Sequence, residues 1–204
     1  MKGYYFSTKD KRLRYGDNRE IAVGVTHKVE GKLKLYKWGL HFSKRAIDAL
    51  KYAPGSYLWI VEASGEVIEG ADKCCASERT YINGFDATEL LREFARKVAL
   101  KNIKKIKPYC SEDDYELIIR WLKTGDEPIR AAVQSAARAA AESAFCANVS
   151  HAKAACAAEY AAGFADESVV KAAAESAGKR FVTFTEFNTV LEKMIEEKLK
   201  EREE

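Results

Sequence analysis

Between Ala131 and Ala177 the chain carries 21 alanines in 47 positions, and no other feature limits its fold as much. Alanine has the strongest helix propensity of any residue, yet its methyl group removes far less apolar surface from water than a leucine side chain does. Such a stretch forms helices that must approach one another closely or lean on larger neighbours. Interruptions at 148–150, at 163–166 and at Gly178 predict three short helices here. Phe145, Tyr160, Phe164, Phe181, Phe184 and Phe187 are the bulky side chains within reach, and are expected to wedge between the helix backbones. Thr183 with Glu186 reads as a capping box for a last helix, whose apolar stripe includes Phe187, Leu191, Met194 and Ile195.

Residues 1–86 follow a different principle and hold most of the glycine, tyrosine and tryptophan. Short aromatic or alternating runs at 3–7, 21–25 and 32–38 predict strands. Ser43 is placed to cap a helix carrying Ala46, Ile47, Leu50 and Ala53, ended by Pro54-Gly55. The nearly continuous apolar run 57–61 predicts a buried strand, with 66–68 as its hairpin partner across Ser64-Gly65, and a last strand spans 78–82. Asn83-Gly84 marks a boundary, after which Asp86 and Glu89 start a long helix with Leu90, Leu91, Phe94, Val98 and Ile106. Ser111 with Asp114 opens another, which Gly125 closes. The predicted class is α+β: a small mixed β-sheet domain with one helix over 1–84, then an alanine-rich α-helical domain over 85–204.

Charge and composition remove several function classes. Thirty-four Lys and Arg against 31 Asp and Glu leave a net charge of +3, too even a balance to act as a phosphate-attracting field by itself. No run approaches the roughly 20 apolar residues of a membrane helix, so a soluble, unexported protein without a membrane partner is expected. Five cysteines, two of them adjacent at Cys74-Cys75, follow no disulfide framework and suit a reducing cytoplasm. His27, His41 and His151 are dispersed, so no metal site is expected, and both glycine-rich phosphate-binding signatures are missing.

Two constellations carry chemistry. The order of a strand, a corner with His41 and Ser43, a helix and a buried strand resembles ADP-ribosyltransferase folds. That resemblance implies NAD as cofactor, His41 and Ser43 in the nicotinamide cleft, Tyr5 as a stacking aromatic and Glu78 as the ribose-orienting carboxylate. Without it no cofactor is expected, His41 bonds to nearby backbone and Ser43 is a helix cap. The second constellation interleaves the cations of 9–14 and 32–37 with Tyr4, Tyr5 and Tyr15, the composition of a platform for single-stranded nucleic acid. Its candidate binding residues are Tyr4, Tyr5, Arg12, Arg14, Lys34 and Lys37; a lysine-protected sheet edge accounts for the same residues without a ligand.

The strings Gly39-Leu-His-Phe-Ser43, Asp48-Ala-Leu-Lys-Tyr-Ala-Pro-Gly55, Leu90-Leu-Arg-Glu-Phe-Ala-Arg96 and Leu122-Lys-Thr-Gly-Asp-Glu-Pro-Ile-Arg-Ala-Ala132 resemble an uncharacterised family of small proteins encoded by phages and prophages. The resemblance implies a viral or prophage origin and a host-cytoplasmic setting, and it transfers no catalytic residue. With no reactive set gathered in the chain, the expected mode of action is binding. A host protein or protein complex is the expected partner, with inhibition of a host defence system as the expected role; nucleic acid is the alternative ligand. Alanine-rich helices and an apolar final stripe leave self-association open.

Overall fold

The structure, a computed structural model, describes residues 1–145, 149–163 and 181–202. The third expected alanine helix and the side chains of Phe164, Phe181 and Phe184 lie outside the described residues. The chain divides into two compact units, Met1–Thr88 with Asn188–Glu204, and Glu89–Phe187.

The first unit contains β1 (Lys2–Ser7), β2 (Thr26–Lys28), β3 (Leu40–Phe42), α1 (Ala46–Lys51), β4 (Tyr57–Glu69) and β5 (Cys74–Asp86). The strand order is β1-β4-β5-β2, with β3 also on β5, and every ladder is antiparallel. The long β4–β5 hairpin is the frame, turned where the Gly70 N–H donates to the Lys73 carbonyl at 2.9 Å. Residues 66–68 are therefore not the hairpin partner of 57–61. They continue the same strand past an irregularity between Ser64 and Val67, where Gly65 takes a φ of 69°. Leu40, Phe42, Trp59, Val61 and Tyr81 are buried in a common core. Gly84 lies so close to the Trp59 ring that a Cβ there would come within 2.4 Å of it.

Two expected strands are loops instead. Across 21–25 the chain turns, and β2 begins only at Thr26. Across 32–38 the Lys34 and Trp38 backbones bond to each other at 2.8 and 2.9 Å around Tyr36, whose φ of 66° is left-handed. The alternation of Leu33 and Leu35 arises because Leu33 anchors this loop in the interior.

Ser43 does not cap α1. The helix starts after Arg45, which makes no side-chain cap. Its first N–H groups find acceptors in the last helix, Phe181–Lys200: Ala46 N–H donates to Glu192 Oε1 at 3.2 Å and Ile47 N–H to Asn188 Oδ1 at 3.1 Å. Such orphan donors need partners when buried, and this service ties residues 188–204 to the sheet unit rather than to the helical part. The same helix already includes Phe181, so Thr183 lies inside it and does not begin it.

In the second unit, α2 (Thr88–Asn102) leads through a 3-10 segment, Ile103–Tyr109, to α3 (Glu112–Thr124), α4 (Arg130–Phe145) and α5 (Val149–Gly163). Ile106 sits in the 3-10 segment, beyond α2. The Ser111 hydroxyl accepts from Asp114 N–H at 3.1 Å, and Gly125, at φ 70°, donates its N–H to the Trp121 carbonyl; both ends of α3 follow the sequence expectation. Ala137, Ala140 and Ala141 of α4 meet Ala154, Ala155, Ala158 and Ala162 of α5 in one core. Phe145 is 73% exposed and wedges nothing. The bulk comes from Ile106, Tyr115, Ile118 and Trp121 on the preceding elements, so the alanine faces close on larger side chains that precede them in the chain. Among the described residues no helix is long and apolar enough to cross a membrane.

Candidate functional site

A cavity of about 540 Å³ opens in the first unit. β1, β3, the loops around 15 and 37, the end of α1, Lys73 of the β4–β5 turn and Arg79 of β5 supply its wall. Tyr5, Tyr15, Tyr36, Trp38 and Tyr52 give it aromatic surface, and Arg14, Lys37, Lys73 and Arg79 give it positive charge. Asp17 is the one carboxylate in the wall, and Arg19 grips it with two bonds of 2.6 and 2.7 Å. That grip holds the Asp17 carboxyl below its ordinary value, so the wall presents a net cationic lining.

Two rim aromatics are held in place at a backbone cost. Tyr15 and Tyr36, 95% and 55% exposed, both have positive φ, 63° and 66°, a conformation that side chains with a Cβ disfavour. Tyr36 is fixed further by its hydroxyl, which donates to Asp72 Oδ1 at 3.0 Å, while the Tyr52 hydroxyl donates to Asp72 Oδ2 at 3.0 Å. Burial pushes the Asp72 carboxyl up, but the bonds from Tyr52, Tyr36 and Lys51 outweigh it and keep it below the usual range. Trp38 is pinned by its indole N–H, which donates to the Glu30 carbonyl at 2.9 Å. The Lys73 ammonium stands 3.8 Å from the Tyr52 ring centroid, and burial lowers its pKa.

Arg79 is the least ordinary member. It is 1% exposed, and its guanidinium carbon lies 3.8 Å from the Tyr5 ring centroid and 5.0 Å from that of Tyr81. Its Nε and Nη2 donate to the Tyr81 hydroxyl at 3.2 and 2.6 Å, and Nη1 donates to the His41 carbonyl.

The sequence candidates divide accordingly. Tyr4, Tyr5, Arg14, Lys37, His41 and Ser43 are brought to the wall. Arg12 and Lys34 are not: Arg12 donates to the Asn18 carbonyl at 2.9 Å, and Lys34 closes the loop of residues 34–38. Glu78 stands beside Arg79 on β5 and so on the opposite sheet face, where it accepts from Lys28 Nζ at 2.9 Å and from the Ser64 hydroxyl at 3.2 Å. The trio His41, Ser43 and Glu78 therefore does not converge. His41 Nε2 accepts the Tyr36 N–H at 3.0 Å, and burial, with Lys73 and Arg79 nearby, depresses its pKa to about 4. It is a neutral loop anchor at neutral pH. Ser43 donates to the Asp72 carbonyl at 2.8 Å, tying the corner before α1 to the β4–β5 turn.

Sequence reasoning missed Tyr36, Trp38, Tyr52, Lys73 and Arg79 as members of one site. A signal existed for the last: the period of two puts Cys75, Ser77, Arg79 and Tyr81 on one face of β5, and Arg79 and Tyr81 stand opposite Ala63 and Val61 of β4, so a charge points into an apolar surface. Among the described residues no three His, Cys, Asp or Glu side chains are grouped to hold a metal.

No curated protein and no solved structure matches the chain. Residues 1–93 match the family model of a domain of unknown function, DUF7666. The matched segment contains every residue of the cavity wall, and this part of the chain is similar to an uncharacterised family.

Proposed function

We propose that the protein acts by binding, as a phage accessory protein that works in the host cytoplasm against a host defence system, and that the macromolecule it engages is single-stranded nucleic acid. The supporting observation is the composition of the cavity wall: exposed and half-buried aromatic rings beside four cations, with a single, already neutralised carboxylate. Stacking on a ring is worth about 1–3 kcal/mol per base, and cations along a groove follow the backbone. A duplex cannot use such a wall, because its bases are already stacked. The overall charge of +3 is no obstacle, since the attraction is local to the cavity.

The NAD-using alternative has less to support it. Glu78 is bonded to Lys28 and Ser64 outside the wall, among the described residues the wall holds no glutamate, and His41 and Ser43 are each engaged in holding a loop. A host protein is the competing partner.

Fluorescence anisotropy of a short labelled oligodeoxythymidine tests the reading. Binding is expected, and the double variant Arg14→Ala, Lys37→Ala is expected to weaken it by about tenfold or more, equivalent to about 1.4 kcal/mol. No binding at low salt, or binding unchanged by the double variant, overturns the nucleic-acid reading. Capture of a defined host protein by the same surface would replace it.

A further inference from the structure

We infer that the cavity receives a phosphate monoester carried on a nucleoside, with Arg79 as the group that takes the phosphate. The inference rests on the nucleic-acid reading above and names the part of the ligand that enters.

Arg79 is buried to 1% exposure, and a guanidinium stays charged at any pH a protein experiences. Among the described residues no carboxylate lies within the 4.0 Å of an ion pair. Tyr5 and Tyr81 offer their ring faces, which compensates a desolvated cation only in part. A guanidinium has five N–H donors; the three bonds to Tyr81 and His41 leave one N–H on each terminal nitrogen. A free N–H on each terminal nitrogen lets the guanidinium donate to the oxygens of a phosphate or carboxylate. Tyr5 covers one face of the guanidinium, so an oxyanion reaches it in the plane, at the N–H edge.

Lys73 is the second cation of this kind. It is half-buried against Tyr52, and it too has no carboxylate within ion-pair distance among the described residues. Among the described residues Arg79 has no ion-pair partner and Lys73 feels only the more distant charge of Asp72, so the wall favours a ligand with more negative charge than a phosphodiester brings. A monoester carries about −1.5 to −2 at neutral pH and presents three terminal oxygens, whereas a diester carries about one charge and two free oxygens. Size agrees: about 540 Å³ is the volume of a site for one small ligand, and holds one nucleotide rather than a run of them. Tyr36, Trp38 and Tyr52 at the rim then face the base. The ligand is either a free mononucleotide or the phosphorylated end of a strand.

Calorimetry on the intact chain separates these. The probes are AMP, adenosine and inorganic phosphate, together with one oligodeoxythymidine bearing a 5′-phosphate, a 3′-phosphate or only hydroxyl ends. The expected result is at least about tenfold tighter binding of AMP than of adenosine or inorganic phosphate, and of one phosphorylated oligonucleotide than of the hydroxyl form. Lys73→Ala, on a half-buried side chain whose loss leaves the core intact, is expected to shrink that preference to below about threefold. Arg79→Lys, which keeps the charge and removes the guanidinium N–H groups, is expected to do the same. AMP preferred over adenosine with no oligonucleotide bound supports the inference and refutes the nucleic-acid reading. Oligonucleotides bound equally whatever their ends, with AMP no better than adenosine, overturn the inference and leave that reading standing. Inorganic phosphate binding as tightly as AMP overturns the nucleoside part, and no binding of any probe overturns both.

Discussion

Acidification from pH 7 to pH 5 is expected to weaken the first unit through His41. Its Nε2 accepts the Tyr36 N–H, which a protonated ring cannot do, and burial beside Lys73 and Arg79 keeps its pKa at about 4 against an ordinary 6.5. Between those two values the unfolded chain binds the proton and the folded one does not, so stability is full above about pH 6.5 and falls as pH drops towards 4. At 1.36 kcal/mol per pH unit the whole gap corresponds to at most about 3 kcal/mol, of which about 2 is lost by pH 5. The ring is only partly shielded from water, and screening reduces this to about 1 kcal/mol. Burial also lowers the pKa of His27, so some pH dependence persists without His41, and His41→Gln, which keeps an acceptor for Tyr36, isolates the difference. Urea unfolding at pH 7, 6 and 5 reads the stability, and the NMR titration of the His41 ring protons reads the pKa directly. A ring that titrates near 6.5, or a His41→Gln variant with the same pH slope as the unaltered protein, refutes the reasoning.

Two further substitutions probe the frame around the cavity. Gly84→Ala drives a methyl group to within 2.4–2.9 Å of three Trp59 ring atoms; Trp59 is fully buried and its indole N–H donates to Ser7 Oγ at 2.9 Å, so the ring has nowhere to turn. A loss of about 2 kcal/mol is expected, read as a lower urea midpoint at unchanged slope. Asn188→Ala removes the acceptor for the buried Ile47 N–H and is expected to destabilise the first unit by about 1–3 kcal/mol, whereas Asn188→Asp keeps the acceptor and recovers most of it; amide exchange at Ile47 checks both.

What could be read from the sequence was what is local. Ser111, Asp114 and Gly125 define α3 through contacts within a turn of each end, so spacing alone identified them. The cap of α1 comes from Asn188, 141 positions away from Ile47, and no short-range pattern announces it; Ser43, the nearer candidate, is used for the β4–β5 turn instead. The alternation at 32–38 resembled a strand because Leu33 is buried, but the left-handed Tyr36 turns it into a loop. At the candidate site the cation-rich, tyrosine-rich composition pointed to Tyr4, Tyr5, Arg14 and Lys37. Arg79 reaches the same cavity only through the strand register, since Glu78, one residue away, faces the other side, and Lys73 reaches it from the turn between β4 and β5. Phe145, expected in a core, is exposed because the alanine faces of α4 and α5 are met by Tyr115, Ile118 and Trp121.

The most direct test of the binding claim is the salt dependence of oligonucleotide affinity. If three or four of Arg14, Lys37, Lys73 and Arg79 meet phosphate, the logarithm of the association constant falls against the logarithm of the sodium chloride concentration with a slope of roughly −2 to −3, at about −0.7 per contact on a single strand. A slope near zero, or no measurable binding at the lowest salt, contradicts the account.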